Sequence, residues 1–240
     1  MSRLLARLRA HLAWMQSRGA RSFRRLREFL RDEDVREWAV TQNALWANLV
    51  GATITRWSGY QTNVGPDDEV VFLGVDGPFG VYHSVAIEFS TGEVTEFTTY
   101  QHDDVAGLLL DRGRRDVALA EGLRDADLAA LPVGTIDRIE VRLDARLVPA
   151  GTRGPEQGEV VEALLVVGGR PVLLVAAEVY PGWHEPSYAW GDEDIFIFTD
   201  PAVVDDVPWM TPRRADPLDV LADGSTRVLW PYFAVPRTRR

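Results

Sequence analysis

The stretch that most limits what this chain can become is Glu159–Tyr180, EVVEALLVVGGRPVLLVAAEVY. Two long runs of Val, Leu and Ala flank Gly168-Gly169. β-Branched residues suit a pleated sheet, and paired glycines supply the positive φ of a tight turn. The segment predicts a buried β-hairpin, with a short apolar strand following at Asp194–Thr199 (DIFIFT). Everything else has to pack around that hairpin.

At 240 residues, with 46 % apolar and 10 % aromatic residues, the chain can bury a substantial core as one large domain or two small ones. It has no cysteine, which excludes disulfides, thiolate metal sites and cysteine nucleophiles. That fits a reducing compartment, and the expected location is the cytoplasm. No apolar run approaches the roughly 20 residues needed to cross a bilayer as a helix.

Charge is the most informative global property. All 26 basic residues are arginine, a bias expected of a GC-rich, bacterial-type genome. Residues 1–31 carry nine Arg and the single acid Glu28, and residues 237–240 add three more Arg. The remainder holds fourteen arginines against thirty-five acidic residues, a net of −21. Such a body repels nucleic-acid phosphates and steers cationic partners toward itself, most strongly at low salt. The expected partner is a basic protein.

Taken in order, residues 1–31 read as two amphipathic helices broken at Gly19, with Leu4, Leu5, Leu8, Leu12 and Met15 on one stripe. This basic leader has three readings: a terminal helix lying on the acidic body, a membrane-surface or partner-binding helix, or a transit peptide. Asp32-Glu33-Asp34 caps a further helix through about Asn48, with Trp38, Leu45 and Leu49 on its apolar stripe and Trp46 beside it. From Gly51 the period becomes extended. Thr53, Thr55 and Trp57 alternate, Glu69–Val75 is continuously apolar, and Val81, His83, Val85, Ile87 and Phe89 share one face. Val94–Gln101 reads as an edge or solvent-facing strand. Val105–Asp111 and Arg114–Leu131 read as helices, the second stopped by Pro132. Ile136–Leu143 alternates again, with Ile139, Val141 and Leu143 inward. Residues 200–221 read as irregular with one turn near Asp219, and Thr226–Val235 as a last strand.

VGATITRW (50–57) resembles VGTIDRIE (133–140), and each precedes a hairpin. That repetition suggests half-repeats at about 50–101 and 133–180. The fold expected is a single α+β domain over residues 32–236: N-terminal helices followed by a mostly antiparallel, internally duplicated β-sheet system.

No catalytic signature is present: no GxSxG elbow, HExxH, Walker A loop or GxGxxG after a strand. The densest chemistry lies in the loop from Pro181, where Trp183, His184, Glu185, Tyr188, Trp190, Asp192, Glu193 and Asp194 fall together. Aromatic residues with polar handles are typical contact anchors, so these eight residues are the candidate partner-binding site. Folding back to cover a sheet edge is the competing role. The His and carboxylate spacing there, even with His102, matches no metal pattern, and neither a metal nor a cofactor is expected. Glu88, Glu96, Glu162 and Glu178 lie on predicted strands as candidates for paired acid–base work. Glu178 ends an apolar strand, where burial raises a carboxyl pKa, and an outward side chain at the strand end is its competing reading. His83 reads as a core histidine.

The function expected from these features is non-enzymatic binding: an acidic surface that engages a basic protein, in the manner of an inhibitor or immunity protein. One alternative is a carboxylate-dependent hydrolase centred on the 181–194 loop. Another is a scaffold recruited through the arginine-rich leader.

Overall fold

The computed structural model describes residues 42, 44–62, 78–102, 105–113, 123–144, 159–180, 187–191, 193–210, 218–220, 226–228 and 233–234. The strands are β1 (Thr53–Thr62), β2 (Gly80–Phe89), β3 (Val94–His102), β4 (Val105–Arg112), β5 (Leu123–Asp125), β6 (Gly134–Asp144), β7 (Glu159–Val167), β8 (Arg170–Tyr180), β9 (Ser187–Trp190), β10 (Asp194–Phe198), β11 (Leu218–Val220), β12 (Thr226–Val228) and β13 (Phe233–Ala234). All of their pairings are antiparallel, and β1-β2-β10-β8-β7-β6 closes on itself as a six-stranded barrel. The β3–β4 hairpin branches from β2, while β11 and β12 pair only with each other.

This overturns the α+β expectation. Among the described residues, helix is confined to 42 and 44–49 and to one 3₁₀ helix, Pro201–Asp206. The leader at 1–31, the cap at Asp32-Glu33-Asp34, Trp38, Glu69–Val75 and the tail at 237–240 lie outside the described residues. Val105–Asp111 is strand β4, not helix. Its Leu108, Leu109 and Leu110 are all buried, which pairing with β3 permits and a one-sided surface helix does not. Leu123–Asp125, within the expected helix 114–131, pairs with β1, and 126–131 is non-helical, with a turn at 129–130. β3 is no edge strand, because β4 covers its far side, and its Glu96, Phe97 and Thr98 are buried. The turn expected near Asp219 is strand β11, and the helical turn falls instead at Pro201–Asp206.

The Gly168-Gly169 hairpin forms as the sequence dictates. Both glycines have positive φ, 54° and 77°, which suits the twist of a two-residue connection. Asp137 on β6 accepts a hydrogen bond from the Gly169 N–H at 2.9 Å and pins the turn to the next strand. Beyond the turn β8 is buried on both sides. Val172, Leu174 and Ala176 join the cluster that fills the barrel, with Ile54, Tyr82, Val85, Ile87, Ile139, Leu165, Ile195 and Ile197. Leu173, Val175, Ala177 and Val179 join a second cluster outside it, with Val81, Phe196, Phe198 and Val204. Two-sided burial explains why β8 and β10 read as unbroken apolar runs rather than alternating ones.

The two halves of the barrel repeat each other's irregularities. The β1–β2 register shifts between Ile54 and Arg56 and again between Tyr60 and Gln61. The β6–β7 register shifts between Ile136 and Arg138 and again between Arg142 and Leu143. The two shifts thus stand at the same spacing in both pairs, and the first of each falls inside the matching tetrapeptides Thr53–Arg56 (TITR) and Thr135–Arg138 (TIDR). The first adds Thr55 or Asp137, and the second adds His83 on β2 or Val161 on β7. The strands also meet each other, Thr53 opposite Thr135, with reciprocal bonds from the Gly51 N–H to the Ile136 carbonyl and from the Ile136 N–H to the Ala52 carbonyl, both 2.8 Å.

A bulge reverses the sides of every residue beyond it. Val81 therefore faces the outer cluster while Val85, Ile87 and Phe89 face the barrel interior, correcting the single face expected for all of them. His83 and Ser84 are left together on the outer side. In β7 the same device places Val161 and Glu162 outward, between the inward Val160 and Ala163.

Gly168→Val should cost about 1–2 kcal/mol, since a β-branched residue is strained at positive φ. Val166→Thr, a half-buried position on the same hairpin, should cost less. Chemical denaturation of both variants checks the order.

Candidate functional site

Strand β9 carries Tyr188 and Trp190 beside the second half of β8, and the chain then crosses Gly191 and Glu193 into β10. Ala177 is the register partner of both Trp190 and Asp194, so the three form one row on the outer face. Trp190 is buried, and its Nε1–H donates to Glu162 Oε1 at 2.8 Å. Arg142 Nη1 lies 3.5 Å from the same carboxylate oxygen. Asp194 is buried at the start of β10, and the Thr99 hydroxyl donates to the Glu193 carbonyl beside it. Trp183, His184, Glu185 and Asp192 lie outside the described residues.

Of the eight candidate residues, the structure therefore gathers Trp190 and Asp194 into the protein's interior. Tyr188 is different. It is half-buried in an aromatic cluster, edge-on to Phe79 at 5.4 Å and to Phe196 at 5.9 Å, with Trp209 at 6.5 Å. Phe79 in turn stacks on Phe196 at 5.0 Å and 8°. Burial raises the Tyr188 phenol above its ordinary 10.0, because the phenolate is the form that loses hydration.

The segment after β10 completes this surface. Asp200 caps the 3₁₀ helix by accepting from the Ala202 N–H, and Pro201 stands in its first turn, where no N–H is needed. Val204 points into the outer core, and Asp205 and Asp206 stay exposed. Trp209 Nε1–H donates back to the Val204 carbonyl at 2.9 Å, and the Met210 N–H donates to the Tyr188 carbonyl at 2.7 Å. The indole bond holds Trp209 to the 3₁₀ helix, and the backbone bond holds Met210 beside Tyr188. Met210 is 60 % exposed, one of only two large apolar side chains so exposed among the described residues. Exposed Met210 thus follows the half-buried Trp209, and the exposed Asp205 and Asp206 precede both in the chain. Sequence reasoning missed this part. The only signal was the run VDDVPWM (204–210), where acids precede Trp and Met.

The carboxylates singled out on strands divide. Glu88 is exposed, whereas Glu96, Glu162 and Glu178 are buried. Glu162 is committed to Arg142 and Trp190. Among the described residues no group of three or more His, Asp or Glu side chains is placed to hold a metal ion, and no helix is long and apolar enough to cross a membrane. No protein family, curated protein or solved structure matches the chain.

Glu162→Ala would leave Arg142 charged and largely buried, and should cost about 3–5 kcal/mol. Glu162→Gln keeps an acceptor for Trp190 and should cost less, as thermal unfolding of the pair would show. A raised phenol pKa stabilises the fold at pH values below that of a free tyrosine, and the contribution is lost as pH rises through the folded value. Alkaline absorbance titration should therefore show phenolate signal above the ordinary tyrosine range that Tyr188→Phe diminishes.

Proposed function

We propose that this is a binding protein that docks a basic protein partner, with the surface formed by Tyr188, Trp209, Met210, Asp205 and Asp206 as the contact. The observation that carries this reading is the exposed Met210, next in the chain to half-buried Trp209 and hydrogen-bonded through its N–H to the Tyr188 carbonyl, with exposed Asp205 and Asp206 a few residues before it. Aromatic residues and Met are enriched at the centres of interfaces and charge at their rims, so this is the composition of an interface rather than of ordinary surface. The net −21 between the basic ends supplies the long-range term: it raises the encounter rate with cations, and the aromatic centre then slows release. An inhibitor or immunity-type role is the most concrete form of this function. Cation–π contact of partner Arg or Lys with Tyr188 or Trp209 would add to the affinity.

The role of Trp190 differs from that of the exposed residues. Because it is buried against Glu162, its replacement destabilises the fold and reports little about binding.

A native mass measurement at low salt on protein from its own cells should find a co-purifying basic protein that salt releases. Met210→Glu should weaken that complex about ten-fold or more without lowering the melting temperature, since truncations and charge insertions at interface centres cost this much. Asp205→Asn with Asp206→Asn should lower the association rate and flatten its salt dependence, while changing dissociation little. A complex indifferent to all three substitutions would place the contact elsewhere.

A further inference from the structure

The repeated bulges align the two halves strand for strand: β1 with β6, β2 with β7, β3 with β8 and β4 with β10. In that alignment Phe97 opposite Leu110 corresponds to Leu174 opposite Ile197. The far edges of the two last strands are nevertheless treated differently. β10 reaches across to β2, where Ile197 pairs with Gly80, Phe196 with Val81 and Ile195 with Tyr82, and this ladder closes the barrel. β4 packs against β7 and β8 but pairs with no strand beyond β3 among the described residues.

At the position equivalent to Ile197, the Leu110 N–H donates to Gln42 Oε1 at 2.9 Å, and the Leu110 carbonyl accepts from Gln42 Nε2 at 3.1 Å. A primary amide offers one acceptor and one donor in a plane, as a peptide group does. Gln42 thus occupies the seat that the Gly80 backbone holds in the other half. It is itself buried, and it stands in the same helical segment as Trp46 and Leu49, which pack into the barrel core.

We infer that Gln42 is a clasp. It joins the helical segment at 44–49 to the far edge of β4, which pairs with no strand beyond β3 among the described residues, so that displacing this segment exposes that edge. The device has a plain physical basis. A ladder of three residue pairs opens cooperatively, whereas a clasp of two side-chain hydrogen bonds opens when one side chain leaves. An uncovered β4 edge, flanked by buried leucines, is a strand-accepting surface of the kind that proteins otherwise keep capped. The helical segment thereby controls whether that edge is available. This inference is independent of the docking surface at Met210.

Hydrogen exchange on the full chain, resolved by residue, tests it. In the unsubstituted protein the Leu110 amide should exchange by local opening and faster than the Ile197 amide. Gln42→Met fills the same space without pairing. It should accelerate Leu110 exchange about ten-fold or more, the loss expected for two hydrogen bonds to a buried strand edge, and leave Ile195 and Ile197 unchanged. Leu110 exchange as slow as Ile197 in the unsubstituted protein, unaltered protection in Gln42→Met, or equal acceleration at both amides would each overturn the clasp.

Discussion

The structure depends on the burial of one hairpin and its neighbour from both sides. β8 and β10 send Leu174, Ala176, Ile195 and Ile197 into the barrel and Leu173, Val175, Phe196 and Phe198 out of it. Each fully buried Val, Leu, Ile or Phe contributes about 1.5–3 kcal/mol, so these two strands supply a large share of the driving force on both faces. The arrangement imposes an obligation, however. An outer apolar face must be covered, and the 3₁₀ helix with Val204, Val207 and Trp209 covers it. The segment that presents Met210 therefore exists because β8 and β10 need a lid of side chains. The proposed contact surface is a by-product of covering the sheet.

The bulges convert this layered packing into specific chemistry. If β7 ran on from Val160 without the bulge, plain alternation would turn Glu162 into the apolar barrel, where an unpaired carboxylate is costly. With the bulge, Glu162 sits on the outer side within reach of Arg142 and the Trp190 indole. The matching bulge in the other half places His83 and Ser84 outward, at the point where β2 changes partner from β10 to β3. The same backbone irregularity thus gives a buried ion pair in one half and a fork between strands in the other. The two bulges stand at the same spacing in the β1–β2 pair and in the β6–β7 pair.

How much of this could be read in the sequence follows from the same physics. The Gly168-Gly169 hairpin, the IFIF strand and β6 were legible, because each is a run whose periodicity or turn chemistry has a single solution. VAGLLLDR (105–112) was not. A short apolar run after Asp103 fits a capped helix or a strand equally well, and only pairing with β3 decides between them. Bulges leave no composition signal, so the faces of β2 beyond His83 were misassigned while its extent was right. The aromatic loop was legible as a concentration of Trp, Tyr and acid. Its partition into an inward Trp190 and a half-exposed Tyr188 depends on the row through Ala177, which sequence does not show. Trp209 and Met210 were invisible because their position comes from an indole bond to the Val204 carbonyl and a Met210 N–H bond to the Tyr188 carbonyl, neither of which the sequence shows.

The halves join at two short junctions, Thr53 opposite Thr135 and Phe196 opposite Val81, and the closed barrel stands on both. The most direct measurement is a set of cross-strand backbone NOEs at these two places, with the β7–β8 hairpin as internal reference. A closed barrel of repeated halves gives NOEs at both junctions as well as in the hairpin. Hairpin NOEs with either junction silent would mean an open sheet, and would contradict the account.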